Sequence, residues 1–130
     1  MAGVHPRDAL ALDGTQGEKP LPLIPVCEHY AGSEERIAKA LLLQQQTGPV
    51  FDVACDCEDG ARPGAEKAHA EMVARALRSA ENRFGRVGAR IHDPSHPSFR
   101  DDVAILAPAR PAFLVIPKVV SARQAGEAIE

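Results

Sequence analysis

The sequence predicts an α/β protein, about four βα units forming the N-terminal half of a (β/α)8 TIM barrel, truncated at its C-terminal side. Three observations lead there. Short apolar runs alternate with helical segments in one fixed order, and the polar clusters fall where the runs end. The run ends recur at intervals of roughly 25–35 residues, where a closed barrel uses about 31 per unit. The chain is 130 residues long, 45% hydrophobic and 25% charged, which is one folded domain's worth and far from the composition of a disordered chain. A small open doubly wound sheet, complete in itself, is the alternative.

Residues 1–20 carry Gly3, Pro6, Gly14, Gly17 and Pro20 without an apolar period, and are read as an irregular N-terminal arm preceding a partial barrel over 21–130. The first unit takes Leu21–Cys27 as its strand and Glu28-His29-Tyr30 as the polar loop after it. Ser33 then caps a helix with Glu34 and Glu35 in its first turn, an apolar stripe of Ile37, Ala40, Leu41 and the neighbours of Gln44, and a stop at Gly48-Pro49. The second unit has its strand at Val50–Cys55, an acidic loop at Asp56–Gly60, and a helix from near Pro63 with Ala65, Ala68, Met72, Val73, Ala76, Leu77 and Ala80 at helical spacing. The third has a strand at Val87–Ile91, a polar loop at His92–His96 and a helical face of Phe99, Val103 and Leu106. The fourth has a strand at Ala112–Ile116, the polar end Pro117-Lys118, and a capping box Ser121-x-x-Gln124 opening a helix with Ala122, Ala125 and Ile129.

Charge and composition exclude several classes of partner. A net charge of −3, with no Lys/Arg block, leaves no phosphate-binding surface, so nucleic acid is not expected. No stretch approaches the ~18–20 apolar residues of a membrane span, and Met1–Arg7 does not read as a signal peptide, so a cytoplasmic protein without a membrane partner is expected. Three cysteines, an odd number, suit a reducing compartment. A half-barrel leaves two strand edges free to pair, from which a homo-oligomer is expected.

Strand exits are where parallel α/β folds build active sites, and here they carry Glu28-His29, Asp56 to Asp59, Arg90 to Asp93, and Lys118. Asp56, Glu58 and Asp59 repel one another unless a cation, an Arg or backbone N–H groups balance them, so the loop is a candidate partner for Mg²⁺ or Arg. A solvated acidic turn capping the next helix explains it equally well. Cys55 and Cys57, with Cys27 and His29, are a weak zinc signature because Cys-x-Cys lacks the usual paired spacing. Arg90, near the end of an apolar strand, needs an anion to offset its burial: the acidic loop, or a substrate carboxylate or enolate. His92 is read equally as a loop residue or a base. Lys118 is read as a cation beside the acidic loop, with a Schiff-base nucleophile as the rival reading.

Four segments, Leu23–Glu34, Phe51–Ala61, Ser79–Asp93 and Ile116–Ser121, resemble in order and spacing the citrate lyase β-subunit-like branch of the HpcH/HpaI aldolase family. The resemblance implies a Mg²⁺-dependent carbon–carbon lyase or aldolase in a (β/α)8 barrel, cleaving a 3-hydroxyacyl-CoA or related 2-oxoacid aldol product. It implies for Arg90 the catalytic role of stabilising the oxyanion or enolate, and for Asp56, Glu58 and Asp59 a place near the metal's waters and that Arg. Lys118 matches the lysine of the family's Pro-Lys-Val-Glu segment, with Val120 where Glu is usual. The direct metal ligands in such proteins come from later strands, beyond Glu130, so no residue here inherits that role. A 2-oxoacid or acyl-CoA is therefore the expected small-molecule partner, and a non-catalytic half-barrel that assembles with another chain is the competing function.

Overall fold

The computed structural model describes residues 24–130; the arm predicted over 1–20 lies outside them. The elements run β1 (Glu28–Ala31), α1 (Glu34–Thr47), β2 (Asp52–Asp56), α2 (Glu66–Arg78), β3 (Val87–Arg90), α3 (Phe99–Leu106) with a 3₁₀ turn at Ala107–Ala109, β4 (Leu114–Val115) and α4 (Ala122–Ile129). The strands form one parallel sheet in the order β1-β2-β3-β4, in the register Glu28↔Asp52, Asp56↔Arg90 and Arg90↔Val115.

That order decides between the two architectures. A doubly wound sheet reverses its strand order and places helices on both faces, whereas an uninterrupted sequence of right-handed crossovers places them on one. Alternate strand residues Ala31, Val53, Cys55, Cys57, Val87, Ala89 and Ile91 pack with Ile37, Ala40 and Leu41 of α1, Val73, Ala74 and Leu77 of α2, and Leu106 of α3 in a single core. The intervening positions, Glu28, Tyr30, Asp52, Asp56, Arg86 and Arg90, share the opposite face by the two-residue period of a strand. The protein is thus a four-unit stretch of singly wound barrel, with an apolar helix-side face and a charged inner face. The strands need cover on the helix side alone.

Local chemistry explains the helix ends. The Ser33 hydroxyl accepts the Arg36 N–H at 3.2 Å, and Gly48 ends α1 with φ of 82°. Gln44, on the buried stripe, donates its Nε2 to the Phe51 carbonyl at 2.8 Å, while its Oε1 is buried without a partner among the described residues. The second helix begins at Glu66, three residues after Pro63, because Pro63 and Gly64, with φ of 85°, form a turn first. At α4 the Ser121 hydroxyl accepts the Gln124 N–H at 3.2 Å, but the Gln124 side chain caps the N–H of Val120 instead of that of Ser121. No residue of α4 is buried. Among the described residues no helix is long and apolar enough to cross a membrane.

One strand lies elsewhere than expected. Leu21–Leu23 lie outside the described residues, and Ile24–Cys27 is not strand, although the Val26 N–H donates to Val50 and the Cys27 carbonyl accepts from Asp52. The strand is Glu28–Ala31, with only Ala31 buried. An edge strand has one neighbour, so its side chains need not be apolar, and the apolar run just before it drew the boundary forward. Glu28 and His29 consequently sit within β1 and not at its exit.

Candidate active site

The carboxylate of Asp56, the last residue of β2, meets the guanidinium of Arg90, the last residue of β3, in a two-pronged pair. Arg90 Nε donates to Asp56 Oδ1 at 3.0 Å and Nη2 to Oδ2 at 2.7 Å. The register places the two side chains opposite each other on the inner face, so the pair follows directly from strand pairing. The chain then turns back over Asp56, whose Oδ1 also accepts the N–H groups of Glu58 and Asp59 at 3.1 and 3.2 Å. This turn brings Asp59 Oδ2 within 3.0 Å of Arg90 Nη2. Gly60 makes the turn feasible, because a Cβ there would run into the Asp56 carbonyl and come within 2.7 Å of the Gly32 Cα.

Burial alone would push the Asp56 carboxyl up, but the hydrogen bonds and charge of Arg90, with the N–H groups of Asp59 and Glu58, outweigh it and hold the carboxyl below the ordinary range. The same pair raises the Arg90 guanidinium above its ordinary value, chiefly through the Asp56 hydrogen bonds. Both groups are therefore charged at neutral pH. Nε and Nη2 are occupied by Asp56 and Asp59, while Nη1, with two N–H groups, has no hydrogen-bond partner among the described residues. The site thus presents one fixed, unspent cationic edge.

Glu58 and Lys118 form a second contact across the mouth, Lys118 Nζ to Glu58 Oε1 at 3.1 Å. Glu58 Oε2 is buried without a hydrogen bond. The hydrogen bond to Glu58 and its negative charge raise the Lys118 ammonium above its ordinary value. A Schiff-base lysine must be easily deprotonated, so this environment opposes the aldolase reading of Lys118. Its backbone is left-handed, with φ of 56°.

Other expectations are corrected by placement. His92 is buried with its Nδ1 at 2.6 Å from Asp102 Oδ2, and the same oxygen accepts the His92 N–H at 2.9 Å. Asp102 belongs to α3, so this imidazole ties the helix to the exit of β3. Cys55 and Cys57 face the helix-side core, where burial pushes Cys55 up to about 12 and raises Cys57 too, so both are held as thiols. No group of three or more His, Cys, Asp or Glu side chains among the described residues could hold a metal ion. Zinc finds no site there. Nor do these residues form a Mg²⁺ ligand set, since both oxygens of Asp56 and one of Asp59 are engaged with Arg90, which leaves Asp59 Oδ1 and Glu58 Oε2 unspent.

Two features escaped the sequence reading. Asp52 and Arg86 form a lower pair, Nε to Oδ1 at 2.6 Å, two strand repeats beneath Asp56 and Arg90. The signal was Asp-x₃-Asp on one strand opposite Arg-x₃-Arg on the next. Tyr30 of β1 lies beneath Arg90, with the guanidinium carbon 5.0 Å from the ring centroid, and its hydroxyl donates to Glu28 Oε2 at 3.1 Å. Burial, then the Glu28 hydrogen bond, raise this phenol above its ordinary value and keep it protonated. Its alternation with Glu28 would have placed it on the inner face had the strand been drawn at Glu28–Ala31.

No family model and no curated protein matches this chain. Among solved structures, a citrate lyase from Burkholderia xenovorans LB400 superposes with a TM-score of 0.77 at 51% sequence identity. The match covers 82% of this chain and 34% of that one, so the chain spans about a third of the length of the protein it matches. The sequential parallel sheet, the polar strand exits and this level of identity agree: the chain belongs to the citrate lyase β-subunit-like family.

Proposed function

We propose that the chain carries part of the active site of a carbon–carbon lyase that cleaves a 3-hydroxyacyl-CoA or a related 2-oxoacid aldol product, with Arg90 as its anion-holding residue. The observation that carries this reading is the free Nη1 edge of an Arg whose other donors are locked by Asp56 and Asp59. In such a cleavage the substrate hydroxyl loses its proton, its C–O bond becomes a carbonyl as the carbon–carbon bond breaks, and the electron pair passes to the acyl fragment as an enolate. A preorganised guanidinium beside that charge lowers the barrier without having to reorient. The Asp56–Arg90–Asp59 arrangement supplies that preorganisation, and Lys118 holds Glu58 at the rim. Magnesium dependence belongs to this proposal too, with direct ligands outside residues 24–130; Glu58, whose Oε2 is buried without a hydrogen bond, would add negative charge beside such an ion.

The test is a calorimetric titration of pyruvate, as a minimal 2-oxoacid, into the protein and into Arg90→Gln. Loss of a charge-assisted contact predicts roughly tenfold to hundredfold weaker binding in the variant. Equal binding by the two proteins would remove Arg90 from the role.

A second reading rests on the sheet edges. Val26, Tyr30, Val50, Leu42 and Leu43 on the β1 side, and Leu114, Val119, Val120 and Ile129 on the β4 side, are exposed. Open parallel edges flanked by apolar side chains favour a half-barrel that pairs with another chain, a homo-oligomer being the simplest case. Sedimentation equilibrium separates the readings: a monomer at micromolar concentration rules out self-assembly of the edges.

A further inference from the structure

We propose that Tyr30 is a positioning residue for Arg90, its ring supporting the face of the guanidinium so that the free Nη1 edge points to one place. The inference rests on the reading of Arg90 as the anion-holding residue. A two-pronged carboxylate pair keeps the guanidinium coplanar with Asp56 but lets it rock about the axis joining the two groups. Asp59 holds one nitrogen of that plane, and neither carboxylate supports its face. The ring of Tyr30 carries the guanidinium carbon over its own face, 5.0 Å from the centroid, and is the contact left to hold it.

The strand order explains how residues on β1 and β3 meet. Tyr30 stands opposite Ala54 on β2, and Asp56, one inner-face position further along β2, stands opposite Arg90. Ala54 is too short to separate them, so Arg90 leans across β2 onto the ring. The ring is itself tethered, because its hydroxyl donates to Glu28, two residues earlier on the same face. Three strands therefore set the orientation of one side chain: β3 bears it, β2 grips its charge and β1 supports its face.

Arginine-selective ¹⁵N labelling, with the Arg90 Nε–H resonance assigned through Arg90→Lys, reads the geometry directly. The ring current of Tyr30 displaces that resonance in the protein. Tyr30→Leu should return it toward the position of an exposed Arg and weaken pyruvate binding about three- to fivefold, the range of an exposed to half-buried cation–π contact. Tyr30→Phe, which keeps the ring, should restore most of both. Tyr30 is 43% exposed, so neither variant removes core packing, and circular dichroism checks the fold. An unmoved resonance in Tyr30→Leu, unchanged affinity, or equal behaviour of the two variants overturns the proposal. If the unsubstituted protein does not take pyruvate, the anion-holding reading of Arg90 fails, and the resonance alone decides the positioning role.

Discussion

Removing the Asp56–Arg90 pair tests whether the candidate site is held together as its geometry indicates. Asp56→Asn keeps the shape of the side chain and one acceptor but removes the charge that receives two guanidinium and two backbone N–H bonds. The side chains are 24% and 10% exposed, so solvent weakens the interaction only in part, and a partner-specific contribution of about 2 kcal/mol follows from the range for hydrogen bonds to charged groups. A double-mutant cycle with Arg90→Gln, each variant unfolded in urea and followed by circular dichroism at pH 7, isolates that coupling. The single variant Asp56→Asn should lower the melting temperature by about 6–10 °C for a domain of this size.

Acid supplies the second half of the test. The native Asp56 carboxyl is held below its unfolded value, so its contribution is complete above the ordinary value of about 3.9 and is lost as pH falls through the depressed native one. The coupling should be flat between pH 7 and pH 5 and shrink below about pH 4. A coupling under ~0.5 kcal/mol at pH 7, or one insensitive to acid, would refute the view that this charge pair organises the β2–β3 exits.

Two further outcomes follow from particular contacts. Gly60→Ala should cost about 2 kcal/mol or more, because its Cβ meets backbone atoms of Asp56 and Gly32 that cannot rotate away, and thermal unfolding at the unsubstituted temperature would contradict this. With an aromatic disulfide reagent at pH 8, the exposed Cys27 should react rapidly while Cys55 and Cys57, buried and held as thiols, wait for denaturant. Fast reaction of more than one thiol in the folded protein would count against the helix-side placement of the other two.

The helices were largely legible because their signals are local. Ser33 and Ser121 cap as their hydroxyls and positions require, and Ile37, Leu41, Val73, Leu77 and Leu106 are buried at the spacing that a 3.6-residue period demands. Arg90 and its acidic partners were also visible, since a guanidinium in an apolar strand must meet an anion. The first strand was not. Its residues Glu28, His29 and Tyr30 are strand by virtue of pairing with Asp52, Val53 and Ala54, a relation that no window of neighbouring residues contains. Tyr30 was missed with it. The capping box at Ser121 shows a smaller version of the same limit: the hydroxyl contact was legible, while the donor chosen by Gln124 was not.

The sequence by itself determined the order of strands and helices, the buried stripes of the helices and the clustering of acid and base at the exits of β2, β3 and β4, because periodicity, caps and charge are properties of short stretches. Only the tertiary structure decided which carboxylate Arg90 takes, which of its nitrogens stays free and which ring lies beneath it. Those facts depend on registers between strands about 30 residues apart in the chain, where a shift of one residue would turn every side chain to the other face.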